Sequence, residues 1–322
     1  KLFFASNKAR ARPIPREAPV MVAVGSEFDI LIYFMLNLNN SMIMSQKIAF
    51  LINPLKKTVA IADYFSWVIE TVKVEKSDWE IQLFTKEWPS ELSDFDQVWV
   101  MGGDGTFNYF VNKYRSITIP IALFKGGTGN DFYWKLYGDR SRRAHLDAVL
   151  AGHVEAFDAG DCNGQLFLNG VGIGIEGEVL KSMDSIRYFE GGLGYYLAAI
   201  PNLLKFKTYQ ILGGREVFLC MVFNSSRAGG GFHFFPKASV QDGLLDVLYC
   251  QPIPVWKRLY YMPIIQSGKH VNLPIVEFSQ TKKISIKTSR VLSAQVDGEV
   301  QTSDQFDFQV LPAKFKFIVP QL

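Results

Sequence analysis

From Lys47 onward, short apolar runs alternate with stretches of helical period. Residues 48–52 form an apolar run stopped by Asn53-Pro54. Over 58–73, Val59, Ala62, Tyr64, Phe65, Val68, Ile69 and Val72 fall on one broad face, which predicts a helix. Residues 79–84, 97–101 and 119–124 read as further strands, and 109–114 continues a helix opened at Gly105-Thr106. Apolar strands that do not strictly alternate, separated by helices, predict a parallel sheet covered on both faces. The pattern changes after about Gly152. Strand-like runs then dominate, at 166–170, 217–223, 245–249, 283–287, 291–296, 306–310 and 314–319. Two of them, Lys283-Ile284-Ser285-Ile286-Lys287 and Phe306-Asp307-Phe308-Gln309-Val310, alternate as half-buried antiparallel strands do. Helical interruptions fall at 195–205 and 255–265. The fold expected is an α/β N-terminal domain with a parallel sheet over 44–154, followed by a β-rich, mainly antiparallel, sandwich-like domain over 155–311. Residues 312–322 are candidates to return and complete the first domain.

Residues 1–43 read differently. Pro13, Pro15 and Pro19 interrupt any period, and periodic structure starts only after Met44. The expectation is a non-native or disordered leader ahead of a natural start at Met42 or Met44, with a regulatory arm as the other reading. This stretch holds five basic and three acidic residues, so it carries +2 of the formal net charge of +3. The nearly neutral remainder shows no concentrated basic face and is not expected to bind nucleic acid. Cys162, Cys220 and Cys250 are widely spaced and flanked by apolar residues, as reduced core thiols of a cytosolic protein would be. The longest early apolar run, 28–36, is broken by Asp29 and is too short to span a bilayer. No transmembrane segment is expected. Localisation is read as cytoplasmic, with peripheral contact at a membrane left open, and an edge strand of the β-rich domain leaves room for a homodimer.

The candidate chemistry lies in two glycine-rich loops. Gly102-Gly103-Asp104-Gly105-Thr106 follows the strand ending at Met101, and Gly126-Gly127-Thr128-Gly129-Asn130-Asp131 follows the strand 119–124. Glycines let backbone approach a bulky phosphate, and a helix opening behind them points free N–H groups at an anion. Asp104 then stands where a carboxylate can organise Mg²⁺ or accept a proton, the two tasks of phosphoryl transfer. The plainer alternative is a tight strand-to-helix turn with Asp104 as a cap, and a second loop that is merely structural. Two such loops on one parallel sheet would share its carboxyl edge, where α/β sheets bind ligands. The 44–154 domain is therefore read as nucleotide-binding.

The ordered set Asn53-Pro54, Gly102 to Thr106, Gly127-Thr128-Gly129-Asn130-Asp131-Phe132, Asn224 to Gly231, Asp242-Gly243-Leu244-Leu245-Asp246 and Asp297-Gly298-Glu299 resembles the diacylglycerol kinase catalytic-domain family. Bacterial lipid kinases, sphingosine kinases and ceramide kinases are its members. The resemblance covers about residues 46–311. NAD kinases and phosphofructokinases share the Gly-Gly-Asp-Gly element alone, which implies an NAD kinase/phosphofructokinase-like first domain. The resemblance implies nucleotide contacts at Asn53, Gly102, Gly103, Asp104, Gly105, Thr106, Phe107, Asn108, Gly127 and Thr128. It implies Mg²⁺ near Asp242, with backbone oxygens of Ser239 and Leu244, an oxygen-rich shell that suits this hard cation. It makes Glu299 the base that takes the proton of a lipid hydroxyl and leaves Asp104 as organiser of nucleotide and metal. On the residues alone, Asp297-Gly298-Glu299 is a hairpin turn, and Asp242-Gly243 a turn before a strand.

The activity implied is an ATP- and Mg²⁺-dependent lipid kinase of phospholipid biosynthesis. It would transfer the γ-phosphoryl group to a hydroxyl of a diacylglycerol-like or sphingoid lipid presented at a membrane surface. The alternatives are an NAD kinase-like enzyme of a soluble substrate, and a nucleotide- or lipid-binding regulator with weak turnover. Four departures from the family pattern bear on nucleotide affinity and lipid specificity: Leu55-Lys56-Lys57-Thr58 without glycine, Lys125 for a proline, Phe132-Tyr133-Trp134 without arginine, and Tyr109 for an acidic residue. The aromatic, glycine-rich segment 188–197 fits an acyl groove or a helix packed on the β-rich domain. Arg227 is a weaker candidate for a headgroup or phosphate contact. The four histidines lack metal-ligand spacing and are read as structural or surface residues.

Overall fold

A computed structural model of the protein describes residues 45–53, 59–183 and 200–321. The leader reading of 1–43, the segment 55–58, the aromatic segment 188–197 and the start of the helix expected over 195–205 lie outside the described residues. Residues 200–205 are helical.

The first half alternates as expected: β1 (Lys47–Ile52), α1 (Val59–Glu75), β2 (Glu80–Phe84), β3 (Gln97–Gly102), α2 (Asp104–Lys113), β4 (Ile121–Lys125), α3 (Asp131–Tyr137) and α4 (Arg142–Ala151). Strands β2, β1, β3 and β4 run parallel. Side chains of successive strand residues leave on opposite faces, so β3 feeds two cores. Trp99 and Met101 pack with Phe50, Tyr64, Val68, Phe124 and Leu146 in the layer that includes α1 and α4. Val98 and Val100 pack with Phe107, Phe110, Val111 and Phe132 in the layer that includes α2 and α3. Each large side chain buried this way stabilises the fold by roughly 1.5–3 kcal/mol. His145 lies in the first layer, against Tyr64, and burial drives its imidazole pKa down to about 3, which keeps it neutral.

The second half holds β5 (Val154–Cys162), β6 (Gln165–Phe167), β7 (Gly170–Ile173), α5 (Ile175–Met183), β8 (Tyr209–Ile211), β9 (Arg215–Val217), β10 (Leu219–Phe223), β11 (Leu245–Cys250), α6 (Val255–Gln266), β12 (Val276–Thr281), β13 (Lys283–Val296) and β14 (Glu299–Ile318). Its strands pair antiparallel in the order β12-β11-β10-β7-β13-β14. Cys220 and Val222 of β10 face one core, and Met221 and Phe223 face another, beneath α5 and α6. The three cysteines are free and buried, and burial pushes the thiols of Cys162 and Cys250 up to about 12.

Several strand boundaries differ from the sequence expectation, and the run 217–223 divides between β9 and β10. The run 166–170 divides into β6 and β7, because the backbone of Leu168, Asn169 and Gly170 turns around a buried carboxylate. The runs 283–287 and 291–296 are one strand with an irregularity between Lys287 and Leu292. The runs 306–310 and 314–319 likewise lie on β14, whose register against β5 shifts between Leu311 and Phe315. Pro312 cannot donate to a ladder, and Ala313 takes φ +49, so the strand bulges there without ending. Past the bulge, Phe317 pairs with Ile121 of β4 in parallel, and a single hydrogen-bonded path therefore runs from β12 to β2. Among the described residues no helix is long and apolar enough to cross a membrane.

Candidate active site

The carboxyl ends of β3 and β4 bring the two glycine-rich loops into contact. Gly126 donates its N–H to Gly102 O at 2.7 Å. A Cβ on Gly103 would lie 2.8 Å from the Gly127 Cα, and one on Gly127 would lie 2.5 Å from the Gly103 Cα. Paired glycines are thus required by the loops themselves, before any ligand is considered. Gly105 differs: a Cβ there meets nothing within 4 Å. Gly103 caps α2 with no side-chain hydrogen bond, which leaves N–H groups at that terminus for a ligand. The Thr106 hydroxyl, one turn in, accepts a hydrogen bond from Asn53 Nδ2 at 2.8 Å. In the second loop Asn130 adopts φ 50, and its side-chain amide closes the turn, accepting from Gly127 N at 2.9 Å and donating to Gly127 O at 2.6 Å.

Asp104 ties the loops together. Its Oδ1 accepts the Phe132 N–H at 3.0 Å, at the start of α3, and Asn169 Nδ2 at 3.5 Å. Burial, reinforced by the negative charge of Asp131, holds the Asp104 pKa above the ordinary carboxylate range. Asp131 is itself buried, and accepts Arg227 Nε at 2.7 Å and Gly230 N at 2.8 Å. That pair draws the glycine-rich run 229–231 onto the second loop. It also corrects the reading of Arg227: this guanidinium is neutralised by Asp131 and stacks 4.4 Å over the Trp134 ring, so it is not held free for a phosphate.

The Asp297-Gly298 turn is a hairpin, as the residues alone suggested, with Val296 paired to Glu299. It is also an anchor. Asp297 takes φ +45 and is buried, accepting the N–H groups of Leu168 (2.5 Å), Asn169 (3.1 Å) and Gly170 (2.8 Å). Asn108 Nδ2 adds a contact at 3.4 Å. Burial raises the Asp297 pKa to about 6, although those N–H groups pull it down. The anchored turn presents Glu299, exposed, at the wall of the cleft.

The cleft has a volume of about 1080 Å³. Its lining includes Gly103 to Thr106, Gly127 to Gly129, Asn53 and Asp131 from the loop region, together with Asn169, Gln295, Asp297 and Glu299. Val179 and Leu180 of α5 supply apolar wall, and Trp88, Tyr109, Lys86 and Lys113 stand at the margin of the first loop. Asn169 carries a buried Oδ1 without a hydrogen-bond partner among the described residues, as an acceptor awaiting a ligand would. Sequence reading missed Asn169, Lys86 and Lys113. None sits in a motif, and only the folded chain brings them to the loops.

Not every expected nucleotide contact faces this space. Phe107 is a core side chain, and Asn108 is spent on Leu166 O and Asp297. Gly102 is buried, packed against Thr106, and is absent from the cleft lining. Gly102 ends β3, and Phe107 and Asn108 lie on the buried side of α2, so all three position the loop from behind. Ser239, Asp242 and Leu244 also stand apart from the cleft. Asp242 Oδ1 accepts Leu244 N at 3.1 Å and Ser239 Oγ accepts Gln241 N at 3.3 Å. Beside them the Asp246 carboxyl is buried, its Oδ2 without a hydrogen-bond partner among the described residues, and burial raises its pKa to about 6. Among the described residues no cluster of three or more His, Cys, Asp or Glu is placed to hold a metal.

The departures from the family pattern find local partners. Lys125 lies 5.7 Å over the Tyr133 ring, Phe132 packs on Phe317, and Tyr109 leans on Trp88 at 5.4 Å.

Residues 47–162 match the family model described as the diacylglycerol kinase catalytic domain, and residues 169–319 the one described as the YegS C-terminal NAD kinase beta sandwich-like domain. A diacylglycerol kinase of Mycobacterium tuberculosis is 27% identical over 241 residues, 70% of this chain and 77% of that protein. One of Bacillus subtilis is 26% identical over 219 residues, covering 65% of this chain and 72% of its own. A crystal structure of a candidate diacylglycerol kinase from Bacillus anthracis superposes with a TM-score of 0.72 at 25% identity, over 87% of this chain and 97% of the other. With its glycine loops, its anchored Asp-Gly-Glu turn and both family domains in register, this chain belongs to the diacylglycerol kinase catalytic-domain family of lipid kinases.

Proposed function

We propose that this protein transfers the γ-phosphoryl group of ATP to the hydroxyl of a diacylglycerol-like or sphingoid lipid, with Mg²⁺ required. The observation that carries the reading is one cleft whose lining holds the α2 terminus, Asp104 and Glu299 together. Asn53, the Thr106 hydroxyl, Thr128 and the N–H groups ahead of α2 suit polyphosphate, since they are polar, uncapped and backed by close-packed glycines. Glu299 has no ion-pair partner among the described residues and fits a base for the attacking hydroxyl. As that oxygen bonds to the γ-phosphorus, the bridge to the β-phosphate breaks, ADP leaves and the proton passes to the carboxylate. Asp104, held by Phe132 N, keeps its shape through the step and acts on charge and position.

Mg²⁺ favours oxygen ligands, and the oxygens of Asp242, Ser239 and Leu244, with the Asp246 carboxylate next to them, are of that kind. An ion held there would neutralise carboxylates outside the cleft, and Mg²⁺ carried in with ATP would screen the phosphate charge. The location that goes with this proposal is the cytoplasm, with peripheral work at a membrane.

Incubation with labelled ATP, Mg²⁺ and a lipid extract, followed by mass spectrometry, tests the reading. Phosphorylated lipid alcohol is expected. Product from NAD and from no lipid would select a soluble-substrate kinase, and tight ATP binding with no transfer would select a regulator.

A further inference from the structure

Helix α6 is apolar almost all the way round. Its sequence, Val-Trp-Lys-Arg-Leu-Tyr-Tyr-Met-Pro-Ile-Ile-Gln, contains no acidic residue. A helix of that composition is ordinarily buried in a core or seated in a membrane. Here one stripe packs inward: Tyr261, Met262 and Ile265 are partly buried against the core beneath the helix, and Arg258 is buried beside them. The opposite stripe faces solvent. Trp256 is 75% exposed, Tyr260 66%, and Leu259 and Pro263 continue the line at helical spacing. The helical residues 200–205 extend this surface. Arg258 Nη1 donates to Leu203 O at 2.6 Å and Phe206 O at 2.8 Å, and holds that segment against the start of α6 with Ile200 and Leu204 exposed.

Among the described residues, the charges carried by α6 and by 200–207 have one sign. Lys257 lies 5.0 Å over the Trp256 ring, and Lys205 and Lys207 are exposed on the adjoining segment. Neither α6 nor residues 200–207 carry a carboxylate. On the neighbouring strands, Glu216 is bonded to Thr208, and Glu277 is paired with Arg215. Trp and Tyr prefer the membrane–water boundary, where an apolar body and a polar tip are both satisfied, and lysines beside them meet anionic headgroups. Helix α6 and the cleft wall rest on one core, because Val179 of α5 lines the cleft and packs in the same cluster as Leu203, Tyr261 and Met262.

We infer that the exposed stripe of α6, with residues 200–207, docks the protein on an anionic phospholipid bilayer. Trp256, Leu259 and Tyr260 enter the interface, and Lys205, Lys207 and Lys257 sit among the headgroups. The choice of a bilayer over a second copy of the chain rests on the lipid-substrate reading and on the excess of lysine, since two copies of this stripe would set like charges together. Co-sedimentation with phosphatidylcholine vesicles, with and without phosphatidylglycerol, tests it. The wild type is compared with Trp256→Ser/Tyr260→Ser and with Lys205→Glu/Lys207→Glu, without ATP. Each pair should weaken binding to the anionic vesicles by about tenfold or more, leave the thermal midpoint unchanged and preserve turnover of a short-chain, monomeric lipid alcohol. Undiminished binding by both variants, or no binding by the wild type, would overturn the inference. So would a wild-type dimer that the aromatic pair disperses. Vesicle binding without any lipid phosphorylation would instead leave the surface standing and remove the proposed reaction.

Discussion

The carboxylate of Asp104 and the backbone N–H of Phe132 lie 3.0 Å apart and join the first turn of α2 to the start of α3. Through that bond one side chain sets the spacing of two loops that arrive from different strands. Its acceptor role and its charge can be separated. Asn keeps an acceptor for Phe132 and loses only the charge. Asp104→Asn should therefore fold with little change in thermal midpoint while lipid kinase turnover falls by roughly 10²-fold or more, as losses of charge stabilisation at a reacting phosphoryl do. Activity within a factor of two of wild type would remove Asp104 from the catalytic set.

Glu299 offers the complementary experiment. It is exposed and carries no packing load, so Glu299→Gln should leave stability alone. If it is the base, turnover should fall by about 10²–10⁴-fold with ATP affinity intact, measured by product formation beside equilibrium nucleotide binding.

Loop contact predicts a contrast among glycines. Gly127→Ala would put a methyl 2.5 Å from the Gly103 Cα and force the loops apart. Overpacking of this kind costs about 1–3 kcal/mol, and nucleotide binding should weaken along with the unfolding midpoint. Gly105→Ala meets nothing within 4 Å and should leave the midpoint in place. Equal destabilisation by both would show that loop contact is not the reason for the paired glycines.

Arg227→Ala strips Asp131 of its charge partner in a buried setting. Leaving one member of such a pair alone costs about 3–5 kcal/mol. Denaturant titration should show that loss, and a double variant with Asp131→Asn should recover part of it.

Asp297 gives a pH dependence of defined sign. Its pKa is raised from 3.8 to about 6 in the folded protein, so its favourable contribution to stability is complete below pH 3.8 and is lost as pH rises through about 6. Comparing unfolding free energies of wild type and Asp297→Asn from pH 4 to 8 should show the wild type falling relative to the variant by roughly 3 kcal/mol, the equivalent of that shift. A flat difference would mean that the N–H groups of Leu168, Asn169 and Gly170 hold this carboxylate at an ordinary pKa.

How much of this was legible beforehand follows from where each signal resides. The parallel strands announced themselves because apolar runs at 48–52 and 97–101 are local and strong. The glycine loops did so because residue types recur at fixed spacing. Strand β12 escaped notice, since most of Val276–Thr281 is exposed and carries little apolar signal. The bulge at Pro312-Ala313 was read as a gap between two strands, although the chain continues through it. At the site, Asp297 looked like a turn residue and is one. Its second role depends on three N–H groups about 130 positions earlier in the chain, a relationship that spacing cannot encode. Arg227 was misjudged for the same reason, because its partner Asp131 comes from another loop.

The pairing of Ile121 with Phe317 has a consequence in time. The two positions are 317 − 121 = 196 residues apart. At the usual 5–20 residues per second of synthesis, β4 waits about 10–40 s on the ribosome before its neighbour is made. During that wait an apolar strand edge stands open to any passing chain, so the nascent protein needs either a chaperone or a slow, reversible docking of β1–β4. Translation pauses upstream of residue 300 should lower the yield of soluble protein more than pauses placed after it.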